Sequence, residues 1–180
     1  MTTSKRTGAY VLRLTLTLFL ITTVVAGLLG LVNYMTADTI AGKVAQKAET
    51  AMRQVLEADA YEPVELPEGS AVTAAYRAGE KGYVVRVAPN GFGGAIDMMV
   101  GIDPNGSVTG IAIVSQSETA SLGANCTRED FRAQFTGKSG TLAVSKDGGE
   151  IEALTGATVT SRAVTDGVNT ALEFVQEVLK

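Results

Sequence analysis

The sequence has no histidine, no tryptophan and a single cysteine, Cys126, among 180 residues. Without histidine it cannot form a Ser-His-Asp or Cys-His catalytic site, a histidine-ligated haem or a histidine-based zinc site. One cysteine allows no intrachain disulfide and cannot hold an iron–sulfur cluster with thiolates of this chain alone. Metal chemistry is therefore not expected, and redox work would require an organic cofactor.

Acidic residues are absent from the first 35 positions, which carry Lys5, Arg6 and Arg13. All 19 acidic residues lie further along and outnumber the basic residues there. Because nucleic-acid-binding domains present basic surface, this acidic body argues against nucleic acid as a partner.

A long hydrophobic run from Leu14 to Val32 contains no charged residue. As a helix it would be roughly 28 Å long, close to the ~30 Å hydrocarbon core of a bilayer. The alternative is a cleaved signal peptide, but its apolar region is shorter, about 7–15 residues, and a small-residue cleavage site follows it. We therefore expect an uncleaved transmembrane helix over residues 14–35. The positive-inside rule then places residues 1–13 in the cytoplasm and the rest outside it.

The remaining sequence alternates between short apolar segments and turn residues. The predicted elements are a helix over 36–59, a loop over 61–70, hairpins joining 72–78 to 83–88 and 95–102 to 108–115, a short helix capped by Thr127 and running through Phe135, short strands at 142–144 and 151–154, and a last helix over 160–178. Short connections favour an antiparallel sheet. We expect an α+β domain over 71–180, with helices packed on an antiparallel sheet, joined to the membrane helix by a connecting helix and linker over 36–70.

The segment Thr155-Gly156-Ala157-Thr158-Val159-Thr160-Ser161 directly precedes the last predicted helix. Backbone N–H donors at a helix start, a glycine and clustered hydroxyls suit a phosphate group. Two interpretations stay open at this point. The segment is either a tight turn at Gly156 before a helix capped by Thr160 or Ser161, or a site where the helix dipole favours an anion beside Thr158.

The sequence from Ile151 to Thr158 resembles the D-x-x-[S/T]-G-A-T signature of the covalent FMN-binding domain family. Three further segments are similar to that family: Gly91-Phe92-Gly93-Gly94 before a predicted strand, Ser117-Glu118-Thr119-Ala120-Ser121-Leu122-Gly123, and Phe135-Thr136-Gly137-Lys138. The resemblance implies an FMN joined through its phosphate to Thr158 by a separate flavin transferase.

The resemblance also implies which residues surround the flavin. They are Thr155, Gly156, Ala157, Thr158, Thr160, Ser161, Glu118, Thr119, Leu122, Gly123 and Lys138. Of the other hydroxyls, Thr155, Thr160 and Ser161 would shape the turn and cap the helix. Lys138 would offset the phosphate charge or be a solvated loop residue. No catalytic residue and no metal ligand is implied.

Several positions depart from the family pattern. Glu152 stands in place of the usual Asp and keeps its charge, and Gln116 stands where many members have histidine. Ala120-Ser121 replaces Pro-Gly, which predicts a different backbone in the loop that carries Glu118. Cys126 is expected to be a small residue at a helix start, the alternative being a reactive thiol.

A short chain with one N-terminal anchor is similar to the G subunits of Rnf complexes, which are ion-translocating ferredoxin:NAD⁺ oxidoreductases. This similarity implies a flavoprotein in the cell membrane that passes electrons between ferredoxin and NAD⁺ redox centres. Its partners would be a multispanning flavin subunit and iron–sulfur subunits. The alternatives are the C subunit of a sodium-pumping NADH:quinone reductase and a non-redox anchored module for an anionic ligand. No G-x-G-x-x-G segment follows a predicted strand, so the chain alone is not expected to bind NAD or to be active.

Overall fold

The computed structural model describes residues 3–178, although the side chains of 3–9, 38–42, 44–45 and 178 are not described. The first helix, α1, runs from Thr3 to Val55. Its segment Tyr10–Ala37 is the one helical stretch, among the described residues, that is long and apolar enough to cross a membrane. The most apolar window of this segment has a mean hydropathy of 2.3 and no residue buried by the protein. Its side chains are therefore available to lipid.

Threonine hydroxyls inside this apolar segment bond back to their own helix. Those of Thr15, Thr17 and Thr22 each donate to the carbonyl oxygen four residues earlier, at 3.0, 2.8 and 3.0 Å. Hydroxyls satisfied in this way tolerate a hydrocarbon surrounding. The threonines are thus compatible with a membrane span.

Five strands form one antiparallel sheet in which spatial order follows sequence order. They are β1 (Glu62–Val64), β2 (Val72–Arg77), β3 (Tyr83–Val87), β4 (Asp97–Ile102) and β5 (Val108–Ser115). Gly82 and Gly106 have φ values of 128° and 83° in the turns that close the two hairpins, a backbone conformation that suits glycine. Both predicted hairpins and the α+β class are confirmed.

A helix covers each face of this sheet. The last helix, α3 (Thr158–Val178), packs Val164 and Val168 into the core that contains Val85. The C-terminal end of α1 packs Val55 against Val84 on the opposite face. Burying both faces removes apolar strand surface from water, which is the main favourable contribution to folding.

At the end of α1, side chains from outside the helix donate to the carbonyl groups. The hydroxyl of Thr109 in β5 donates to Val55 O at 2.6 Å, and the hydroxyl of Tyr61 donates to Leu56 O at 2.6 Å. A helix reaching residue 59 was expected from spacing alone, and this bound is wrong. Contacts with the sheet, rather than a stop signal in the sequence, accompany the end of the helix.

One predicted loop and two predicted strands also differ from the structure. Strand β1 lies within the expected loop over 61–70, as a short edge strand in which Pro63 is tolerated. The strands expected at 142–144 and 151–154 reduce to a single parallel bridge between Val144 and Ile151. Three-residue segments carry too little periodicity to reveal their pairing partners from sequence.

Short helices connect β5 to α3. Two 3₁₀ helices span Gly123–Thr127 and Ser145–Asp147, and the helix α2 spans Glu129–Ala133. Thr127 does not cap α2, because its hydroxyl donates to Ala124 O at 2.9 Å. Helix α2 therefore starts later than expected and ends before Phe135.

Candidate functional site

The N-terminus of α3 borders a cavity of about 360 Å³, within the size range of small-molecule sites. Three segments that are distant in sequence form its wall: the loop before β4, the loop after β5 and the turn into α3. The lining residues are Phe92, Glu118, Thr119, Leu122, Gly123, Gly156, Ala157, Thr158, Val159 and Thr160. The cavity thus brings together eight of the eleven residues implied by the resemblance.

A tight turn at Gly156, with φ of 75°, leads into α3. The hydroxyl of Ser161 accepts from Leu154 N at 2.9 Å and donates to Ala157 O at 3.0 Å. Because α3 begins at Thr158, Thr160 and Ser161 lie inside its first turn rather than at the cap. The expected capping role is therefore wrong for both, although Ser161 does hold the turn.

Glu118, in the loop after β5, is hydrogen-bonded to the other two segments. Its side chain is buried and accepts from Gly93 N at 2.8 Å and from the hydroxyl of Thr160 at 2.5 Å. A Cβ added to Gly123 would lie 2.5 Å from Glu118 Oε2, so this loop can approach only as glycine. The carboxylate is thereby fixed as part of the structure that holds the cavity wall.

Thr158 is half-buried and is the first residue of α3. Its Oγ1 accepts a hydrogen bond from Lys146 Nζ at 2.9 Å. The first N–H groups of a helix lack carbonyl partners one turn earlier, so they favour an anion at the same place. A hydroxyl on the cavity wall is therefore in contact with an ammonium group from outside the lining and stands at a helix N-terminus.

Part of the lining is apolar and open to solvent. Phe92, Leu122 and Val159 are 74, 43 and 49% exposed, and all three line the cavity. The site therefore has a polar end suited to phosphate and an apolar end suited to a flat ring system. These residues fit FMN, which combines a phosphate with a flat ring system.

Comparison with known proteins shows the family of the chain. Residues 91–173 match the FMN-binding domain family, and residues 3–55 match the RnfG N-terminal region. The G subunit of a proton-translocating ferredoxin:NAD(+) oxidoreductase complex from Clostridium ljungdahlii is 39% identical over 90% of this chain and 88% of its own. The chain belongs to the RnfG family, the G subunits of Rnf complexes.

Other RnfG proteins are similarly close. The G subunit of a Na(+)-translocating ferredoxin:NAD(+) oxidoreductase complex from Acetobacterium woodii is 35% identical over 94% of each chain. A crystal structure of the C subunit of the Na(+)-translocating NADH-quinone reductase from Parabacteroides distasonis is 22% identical, with a TM-score of 0.52 over 73% of this chain and 82% of that one. This last similarity shows a shared fold. Together with the apolar helix, the family establishes that the chain is anchored in a membrane.

Three residues implied by the family resemblance lie away from the cavity wall. Lys138 forms an ion pair with Glu150, where it lowers the pKa of that carboxyl by hydrogen bonding, and it lines a separate cavity. Thr155 is exposed and borders another depression beside Arg128. Ser161 is fully buried. The cation that the structure brings to Thr158 is Lys146, which the motif spacing gave no reason to select.

The loop in which this chain departs from the family pattern keeps a glycine-like backbone. Ser121, at the position of the family glycine, has φ of 63°, in the left-handed region that serine seldom adopts. Gln116 accepts from Glu118 N through its side-chain oxygen at 2.5 Å. Ser121 thus takes a conformation that glycine adopts without strain, and the expected difference from the family's backbone stays a prediction.

Cys126 is buried among core residues of the FMN-binding domain. Burial, with a smaller effect of the Glu118 carboxylate, raises the pKa of its thiol to about 11. The thiol therefore stays protonated at neutral pH, and only the thiolate is a good nucleophile. Of the two alternatives, the structure favours a small packing residue.

Proposed function

We propose that Thr158 carries FMN through a phosphoester on its hydroxyl oxygen. We further propose that the chain passes electrons between ferredoxin and NAD⁺ redox centres within an ion-translocating membrane complex. The proposal rests on the FMN-binding domain, on the RnfG relatives and on the shape of the cavity. The redox chemistry is that of the flavin, while the protein tethers and orients it.

The main support for Thr158 as the attachment residue is that the four hydroxyls of the motif have different surroundings. Thr160 and Ser161 are buried and bonded to other groups, and Thr155 faces a different depression. Thr158 alone among these four combines a place on the cavity wall with partial exposure and a cation at its oxygen. It is the hydroxyl that an incoming phosphate can reach.

Attachment requires a flavin nucleotide in which the FMN phosphate is already activated. In FAD this phosphate is joined to AMP as a phosphoanhydride. With such a donor, Thr158 Oγ1 would bond to the phosphorus as the anhydride P–O bond breaks. AMP would leave with the electron pair, and the hydroxyl proton would pass to a base of the flavin transferase. Helix N–H groups of α3 would stabilise the negative oxygens during this transfer.

The proposed partners are the other subunits of the complex, namely a multispanning flavin subunit and iron–sulfur subunits. In the proposed orientation the basic N-terminal flank is cytoplasmic and the FMN domain is extracytoplasmic, on the outer side of the cell membrane. A covalent link suits that side, since a dissociated cofactor would be lost from the cell.

The attachment site is tested by expressing the full chain with a flavin transferase. The denatured wild-type band should fluoresce yellow-green under ultraviolet light, and Thr158→Ala should abolish that fluorescence without loss of the protein. The matched control, Thr155→Ala, should keep it. A dark wild-type band, or a fluorescent Thr158→Ala band, contradicts the proposal.

The orientation is tested with reporters fused after Lys180. An alkaline phosphatase fusion should be active, because that enzyme folds only outside the cytoplasm, and a green fluorescent protein fusion should be dark. Fusions placed after Arg13, before the uncharged run that begins at Leu14, should give the opposite pair of results. A bright fluorescent protein after Lys180 would reverse the proposed topology.

A further inference from the structure

We infer that Lys146 is the cation that pairs with the flavin phosphate on Thr158, and that the Asp147–Arg162 ion pair is the device that holds Lys146 in place. This inference rests on the proposed attachment of FMN at Thr158. It assigns a binding role to one residue and a positioning role to two others.

Lys146 lies in the 3₁₀ helix Ser145–Asp147, outside the motif and 12 residues before Thr158. Its ammonium donates to Thr158 Oγ1 at 2.9 Å. Once that oxygen is esterified, the ammonium lies next to the phosphate that the ester brings. The same contact directs the threonine proton away from Lys146 before attachment, because the ammonium occupies an acceptor site of the oxygen.

A two-pronged ion pair fastens this 3₁₀ helix to α3. Arg162 Nε and Nη2 donate to the two carboxylate oxygens of Asp147 at 2.7 and 2.6 Å. Arg162 stands one helical turn after Thr158, and Asp147 directly follows Lys146. The pair therefore fixes the chain next to Lys146 against the same end of α3 that carries the hydroxyl.

The Asp147–Arg162 pair adds no net charge beside Lys146, whereas Glu118 on the cavity wall is hydrogen-bonded to Thr160 and Gly93 N. Hydrogen bonds from Arg162 hold the pKa of Asp147 below its usual value, so this carboxylate stays ionised at neutral pH and its charge is matched by the arginine. Lys146 then contributes a positive charge beside the N-terminus of α3. Two independent sources of positive potential, the ammonium and the helix dipole, act on one oxygen.

The experiment follows the rate of flavin attachment to the full chain in detergent, with a flavin transferase and FAD. We expect Lys146→Met to slow attachment by about tenfold or more, the loss typical of a hydrogen bond to a charged group. Lys146→Arg should recover most of the rate, since it keeps the charge. The wild-type advantage over Lys146→Met should shrink as salt is raised, because salt screens exposed charges.

The positioning pair is tested by Arg162→Ala, which should slow attachment less than Lys146→Met. The swap of Asp147→Arg with Arg162→Asp should restore the rate by rebuilding the pair. The matched control is Arg128→Ala. Arg128 also forms an exposed bidentate ion pair, with Asp130, and that pair lies away from the cavity. It should leave the rate unchanged.

Each failure has its own signature. If wild-type chain takes no flavin, or takes it at a residue other than Thr158, the proposed function fails. If attachment occurs at Thr158 but Lys146→Met reacts as fast as wild type, or Lys146→Arg as slowly as Lys146→Met, the inference about Lys146 is overturned. If Arg162→Ala matches wild type, the positioning role is overturned.

Discussion

The two sides of the first turn of α3 carry the same functional groups in contrasting surroundings. On the closed side, the hydroxyls of Thr160 and Ser161 are buried and bonded to Glu118 and to backbone groups of the turn. On the open side, Thr158 faces a cavity and a lysine. The direction of a hydroxyl, rather than its presence in the motif, therefore decides whether it holds the fold or receives the cofactor.

This difference follows from helix geometry. Residues two apart in an α-helix project to nearly opposite sides, so the side chains of Thr158 and Thr160 point in different directions. Ser161, three residues after Thr158, is instead held by its hydrogen bonds to Leu154 N and Ala157 O. The buried hydroxyl of Thr160 joins α3, through Glu118, to the loop before β4 and the loop after β5. That connection shapes the wall against which Thr158 is presented.

The larger stability effect is expected on the closed side. Thr160→Ala leaves one oxygen of the buried Glu118 carboxylate without its hydroxyl donor, which costs about 1–3 kcal/mol. The unfolding midpoint of the detergent-solubilised chain should therefore fall, while flavin is still attached to Thr158. Urea unfolding and in-gel fluorescence measure the two effects separately.

The control for that change is Thr170→Ala, on the same helix. Its hydroxyl donates only to Asp166 O one turn earlier, so its loss should be neutral or slightly stabilising, since alanine is the better helix former. Equal losses of stability for the two variants, or loss of flavin from Thr160→Ala alone, would break the distinction between the closed and open sides.

A smaller effect on stability is expected in the loop after β5, which carries Glu118 and Ser121. Ser121→Gly should stabilise the protein by roughly 0.5–1 kcal/mol, because glycine adopts φ of 63° without the penalty of a Cβ. The control is Ser139→Gly, at a loop residue whose φ is not positive. This change should slightly destabilise the protein, because glycine gives the unfolded chain more conformational entropy to lose on folding. An unfolding midpoint lowered by Ser121→Gly would contradict this account of the loop.

Much of the fold could be predicted from residue patterns because its contacts are local. The two hairpins, the apolar segment and the face of α3 with Val164, Val168 and Leu172 each show their period within a few residues. Leu179, predicted on that same face, lies outside the described residues. The end of α1 and strand β1 were missed because they depend on Thr109, Tyr61 and Arg77, partners that are distant or too briefly paired to leave a pattern.

The candidate site likewise contains residues that the sequence predicts and one that it does not. A motif of adjacent residues identifies Thr158, and the family resemblance brings Glu118 and Leu122 toward it. Lys146 could not be found in this way, because its contact spans 12 residues and depends on how a 3₁₀ helix docks on α3. Lys138 was implied instead by the family resemblance, whereas in the structure its ammonium pairs with Glu150.

Peptide mass spectrometry of the flavin-loaded full chain tests the central claim most directly. After proteolysis, fragmentation should locate the mass of an esterified FMN on Thr158, with Thr155, Thr160 and Ser161 unmodified. The Lys146→Met chain should show the same location at lower occupancy after a short reaction. FMN mass on any of the other three hydroxyls, or flavin that separates from the peptide on denaturation, would contradict the account.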